Sequence, residues 1–61
     1  MKERLDEIGS RLRELRELNG VSSEEMAEHL NVPVETYKCY EDGKLDIPAS
    51  ILIGIARKLN V

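Results

Sequence analysis

The sequence lacks the features of membrane and secreted proteins. None of its apolar runs approaches the roughly 20 residues that a membrane-spanning helix needs, and its N-terminus is too polar for a signal peptide. The chain has no Phe, no Trp and only two Tyr among 61 residues, which predicts a core of aliphatic side chains. We therefore expect a cytoplasmic protein that makes no contact with membranes.

Cysteine is nearly absent as well. Cys39 is the only cysteine, so an internal disulfide is excluded. A structural zinc ion takes four ligands, and only His29 could join Cys39 in binding one. We predict no metal site and no cofactor, and we expect His29 to be a partly exposed surface residue.

The chain has fewer basic than acidic side chains. Nine Lys and Arg residues stand against twelve Asp and Glu, for a net charge of -3. The imbalance lies mainly in residues 21–42, where Lys38 is the only cation among six acidic side chains. Such a segment is unfavourable for contact with the phosphates of a nucleic acid.

The middle of the chain, residues 22–43, predicts two short helices joined by a tight corner. Ser22 is a suitable N-cap, and Glu25 three residues later would complete a capping box. Asn31 tolerates the left-handed conformation of a corner, and Pro33 is suited to a helix start. A pair of helices joined in this way forms a helix-turn-helix, whose second helix enters the major groove in DNA-binding proteins.

Two amphipathic segments flank this unit. In the first, an apolar stripe is expected to face the core, formed by Leu5, Ile8, Leu12, Leu15 and Leu18. After it, Leu45 and Ile47 are expected to close the edge of the core, and Pro48 starts a last helix that is apolar on nearly all sides. Its main apolar face comprises Leu52, Ile55, Ala56 and Leu59, with Gly54 behind that face. Because such a helix is usually covered on more than one side, we expect a following helix, a second domain or a second subunit to pack over it.

The fold class predicted by these patterns is all-α. We expect one small domain of four helices over about residues 2–18, 22–30, 33–41 and 48–59, excised from a longer chain.

Three short motifs carry a family resemblance. They are IGSRLRELR at residues 8–16, VSSEEMA at residues 21–27 and YEDG at residues 40–43. With these motifs the sequence resembles the Xre or Cro/CI repressor-like family, and the resemblance covers nearly all of the chain. The resemblance implies four or five short helices and binding of double-stranded operator DNA, typically as a homodimer. Residues 35–41 and 46–50 further resemble members with a C-terminal cupin domain as ligand sensor.

The resemblance also implies structural and phosphate-binding roles. Arg16 and Glu41 match a salt bridge that ties the first helix to the third, and Ala27 matches a small residue between the second and third helices. Ser22 and Ser23 match the start of the second helix, where free amides favour a phosphate. Ser22 would also fit that position if it served only as a cap.

The positions that would read DNA bases are Pro33, Val34, Glu35, Lys38 and Cys39. Relatives often carry Gln, Ser, Arg or Asn at such positions, and this chain has fewer groups of that kind. Val34 could contact a thymine methyl, and Lys38 a guanine or a phosphate. Glu35 could accept from a cytosine amine or simply favour the helix dipole, and Cys39 could pack against a base or remain a passive thiol.

Lys44, Arg11 and Arg13 are the candidates for phosphate contacts, although surface cations are often only solvated. With so few cations, one domain should bind weakly and with a steep dependence on salt, so that dimerisation would be needed.

The leading hypothesis is therefore a sequence-specific DNA-binding domain of a transcriptional regulator, with the helix from about Val34 to Glu41 in the major groove. The alternative is a repressor-like fold used as a protein-interaction module, which the acidic segment 21–42 favours. An enzyme is the poorest fit, because so small a chain cannot enclose a substrate pocket of about 300 Å³.

Overall fold

The fold is all-α, as predicted. The computed structural model describes residues 4–61, and within them it contains four helices and no strand. The helices are α1 (Leu5–Leu18), α2 (Ser23–Leu30), α3 (Val34–Glu41) and α4 (Ala49–Leu59). Helices α2, α3 and α4 each start one residue later than predicted. The predicted starts are the cap residues Ser22, Pro33 and Pro48. The predicted start of α1 at residue 2 lies outside the described residues.

The core is built around α3. Helix α3 packs on both α1 and α2, and α4 packs on α2. The buried apolar side chains are Met26, Ala27, Tyr37, Tyr40, Ile55 and Leu59. Most of these side chains are aliphatic, as predicted, and the two tyrosines of α3 join them, Tyr37 being fully buried.

Only part of the apolar stripe predicted on α1 faces the core: Leu12 packs against it, and Leu5 is half-buried. Ile8, Leu15 and Leu18 are exposed, whereas Gly9 and Arg16 are the buried residues of this helix. A Cβ atom on Gly9 would lie 2.7 Å from the carbonyl oxygen of Tyr40, so the backbones of α1 and α3 come into direct contact there. This close approach and the burial of Arg16 set the rotation of α1, and they outweigh the hydrophobic pattern.

The predicted apolar face of α4 is confirmed in part. Ile55 and Leu59 are buried and Ala56 is half-buried, but Leu52 is exposed. Gly54, expected behind the apolar face, points toward α2, since a Cβ there would come within 2.6 Å of the Leu30 side chain. The small residue lets α4 approach α2 closely.

Three further local predictions were tested by the structure. Ile47 packs against the core, but Leu45 is exposed, so the loop closes the core edge with one side chain instead of two. The Ser22 hydroxyl accepts a hydrogen bond from the Glu25 amide at 3.0 Å, which confirms the cap. The Glu25 carboxylate does not complete the capping box and instead pairs with Lys58 of α4 at 3.3 Å.

None of the helices within residues 4–61 is long and apolar enough to cross a membrane.

Candidate nucleic-acid interface

The corner between α2 and α3 is sharp and is held by backbone hydrogen bonds. Asn31 takes the left-handed conformation with a φ of 60°, and its amide donates to the Glu28 carbonyl at 3.1 Å. The amide of Val32 donates to the Ala27 carbonyl at 3.1 Å, which satisfies a second free carbonyl at the end of α2. Pro33 is extended and caps α3. Helices α2 and α3 therefore form a helix-turn-helix.

A buried ion pair holds α3 against α1. The Arg16 guanidinium donates through Nε to Oε2 of Glu41 at 2.7 Å and through a second nitrogen to Oε1 at 3.2 Å. The same guanidinium donates to the carbonyl of Val21 at 2.7 Å, and the Tyr37 hydroxyl donates to Glu41 at 2.5 Å. Each oxygen of the buried carboxylate thus has a partner, as burial of a charge requires.

This network shifts the pKa values of its members in ways that favour the ion pair. Burial alone would raise the pKa of Glu41, but the hydrogen bonds from Arg16 and Tyr37, together with the nearby guanidinium charges, lower it overall. The hydrogen bond to Glu41 raises the pKa of Arg16. Burial and the hydrogen bond to Glu41 raise the pKa of Tyr37. The structure therefore contains a carboxylate that stays charged and a phenol that stays neutral.

The face of α3 opposite this network is open to solvent. Glu35 and Lys38 are exposed, and Pro33 is exposed at the start of the helix. Val34 is half-buried and packs against the core, so only part of its side chain could meet a base. Cys39, expected to face outward, is also half-buried.

The start of α2 offers little attraction for a phosphate. The Ser22 hydroxyl already serves as the cap, and Ser23 is half-buried. Glu24 and Glu25 occupy the first turn, where their charges favour the helix dipole but repel a phosphate.

The three candidate phosphate-binding cations differ in their surroundings. Lys44 is exposed in the loop after α3, and Arg11 is exposed on α1 without an ion pair among residues 4–61. Arg13 is engaged: its guanidinium donates to Oδ1 of Asp42 at 3.0 Å and lies 3.6 Å from Glu41. The structure brings Arg13 to the C-terminal end of α3, next to the helix that would read DNA.

Two contacts of this region were not foreseen from the sequence. The hydrogen bond from Tyr37 to Glu41 spans four residues of one helix, so the spacing could have indicated it. The pairing of Arg13 with Asp42 joins residues 29 apart, and no local pattern indicates it.

Among residues 4–61, no three His, Cys, Asp or Glu side chains are placed to hold a metal ion together.

Comparison with known families supports the assignment of α2 and α3 as a helix-turn-helix. The model of a family described as a helix-turn-helix domain matches residues 7–61, nearly the whole chain. Comparison with curated proteins and with solved structures gave no significant match.

Proposed function

Because the chain belongs to this helix-turn-helix domain family, we propose that it is the sequence-specific DNA-binding domain of a transcriptional regulator. Helix α3 would enter the major groove of operator DNA, as the second helix of such motifs does. The protein would act in the cytoplasm, and a homodimer would bind a near-palindromic site. The proposal extends to the Xre or Cro/CI repressor-like type of regulator, with a C-terminal sensor domain of the cupin type.

The observation that carries this proposal is the division of α3 into a fixed face and a free face. Tyr37, Tyr40 and Glu41 fix one side in the core, while Glu35 and Lys38 remain exposed on the other. A helix clamped along one side and free along the other can enter a groove without losing core contacts.

Each polar group on the free face has chemistry suited to DNA. Lys38 can donate to a guanine edge or to a phosphate, and Glu35 can accept from a cytosine amine. Pro33 and the exposed parts of Val34 and Cys39 offer apolar contact to bases. Lys44 and Arg11 would contact phosphates on either side, with Ser22 and Ser23 near the backbone.

The test is selection from a randomised duplex library at two salt concentrations. The chain should enrich one sequence family, with weaker enrichment at the higher salt concentration because phosphate contacts release counterions. Lys38→Glu should abolish enrichment, whereas Arg57→Glu, the same charge change on exposed Arg57 of α4, should preserve most of it. No enrichment by the folded wild-type chain, or equal loss in both variants, would contradict the proposal.

A second candidate function is a protein-interaction module. It is favoured by the acidic segment 21–42 and by the exposed side chains of Leu52 and Ile53, which are 41% and 55% accessible on α4. If this function is correct, the wild-type chain should show no preference among DNA sequences. Leu52→Ser should then remove binding to the partner protein. The library selection separates the two candidates, since only the regulator enriches DNA.

A further inference from the structure

Arg13 and Asp42 form an exposed ion pair at the end of α3. One guanidinium nitrogen of Arg13 lies 3.0 Å from Oδ1 of Asp42, and the two side chains are 44% and 45% accessible. Glu41 also lies near Arg13, at 3.6 Å, but its carboxylate already accepts hydrogen bonds from Arg16 and Tyr37. Asp42 is therefore the carboxylate that engages Arg13 directly.

The pair is located beside the free face of α3. The amide of Asp42 donates to the Lys38 carbonyl at 2.9 Å, and the backbone of Asp42 keeps helical angles. Asp42 therefore lies one helical turn beyond Lys38, on the same side of α3. Lys44 follows two residues later and is exposed. The carboxylate thus lies in the region where Arg13, Lys38 and Lys44 would otherwise present positive charge to DNA.

We infer that Asp42 sets the DNA affinity of the domain by competing with a phosphate for the guanidinium of Arg13. The inference rests on the proposed function. A guanidinium binds a carboxylate or a phosphate with the same planar arrangement of donors, so one group displaces the other. An exposed ion pair contributes little stability, which allows a phosphate to replace Asp42 at a modest loss of affinity.

Because Asp42 and a phosphate compete for Arg13, Asp42 would determine the affinity for DNA. It differs in this from the groups that would contact bases. The Asp42 side chain is half exposed and pairs with Arg13, whereas Arg16 donates to Glu41, so a change at Asp42 removes no partner from Arg16. When Asp42 is neutral, Arg13 retains only the 3.6 Å approach to Glu41, and a phosphate no longer has to displace a charged Asp42. The affinity then rises, while the number of phosphate contacts stays the same.

The experiment compares Asp42→Asn with Asp46→Asn by titration of fluorescent duplex DNA at several salt concentrations. Both variants remove one negative charge from an exposed site, but Asp46 forms no ion pair within residues 4–61. We expect Asp42→Asn to raise the affinity roughly twofold to fivefold more than Asp46→Asn does. The slope of log affinity against log salt concentration should change little, because Arg13 contacts one phosphate in both proteins.

A second background isolates the role of Arg13. In Arg13→Gln, which retains a polar side chain, Asp42→Asn should raise the affinity no more than Asp46→Asn does. Equal gains from the two Asn variants in the wild-type background would overturn the inference while leaving the proposed function intact. A lower affinity of Asp42→Asn would also overturn it and would show that Asp42 orients Arg13 toward the DNA. If no variant binds duplex DNA and all are folded by circular dichroism, the proposed function itself fails.

Discussion

Arg16 is the residue on which the attachment of α3 depends most. Its removal in Arg16→Ala would leave the Glu41 carboxylate buried without its main donor, a loss expected to cost about 3–5 kcal/mol. Lys38→Ala removes an exposed side chain and should change the free energy of unfolding by less than about 0.5 kcal/mol. Thermal melts of the two variants measure the difference. A larger loss in Lys38→Ala would rule out a structural role for the Arg16–Glu41 pair.

Protonation of Glu41 in acid lowers the free energy of unfolding of the domain. Because folding lowers the pKa of Glu41 below its ordinary value of 4.5, the folded state holds fewer protons than the unfolded state as the pH falls. The stabilisation from Glu41 is therefore complete above this pH and is lost progressively below it. Denaturant unfolding of the wild type from neutral to acid pH should show this decline.

Glu41→Gln supplies the control for that pH dependence. The amide cannot ionise, so this variant should be less stable at neutral pH and should lose less additional stability in acid. An equally steep acid loss in both proteins would assign the effect to other carboxylates.

At the scale of elements, the contact between α1 and α3 depends on Gly9. A Cβ at this position would lie 2.7 Å from the Tyr40 carbonyl oxygen and closer still to that of Glu41, and backbone atoms cannot give way. Gly9→Ala should therefore destabilise the domain by about 1–3 kcal/mol, although alanine is the better helix former. Ser10→Ala, at the exposed neighbouring position, should be nearly neutral in the same denaturant melts. Greater stability of Gly9→Ala would contradict the close approach.

Local residues were sufficient to predict the elements. Ser22, Pro33 and Pro48 define helix starts through their hydrogen bonding and fixed φ, and Asn31 defines the corner through its tolerance of the left-handed conformation. Each of these effects acts within a few residues of the chain. The order and the approximate bounds of the helices therefore follow from the sequence.

The rotation of α1 followed only in part from local residues. The stripe correctly places Leu12 against the core, but the contact of Gly9 with α3 and the pairing of Arg16 leave Ile8 and Leu15 exposed. Both contacts join residues distant in sequence, which a periodic pattern cannot represent. The engagement of Arg13 by Asp42 was missed for the same reason.

At the scale of the whole molecule, charge limits what the domain can do alone. With twelve acidic and nine basic side chains, the chain would attract DNA weakly, and the pairing of Arg13 would remove one further cation from the proposed interface. Two domains bound to adjacent half-sites would double the number of phosphate contacts. This arrangement is how we propose that a weakly binding domain achieves operator recognition.

The most direct measurement is the map of backbone amide shifts when the selected duplex is added to isotopically labelled protein. We predict the largest changes along the free face of α3, at Glu35, Lys38 and Cys39, with smaller changes at Lys44 and little change at Ile53 of α4. Changes concentrated on α4, or none on α3, would contradict the central claim that α3 contacts DNA.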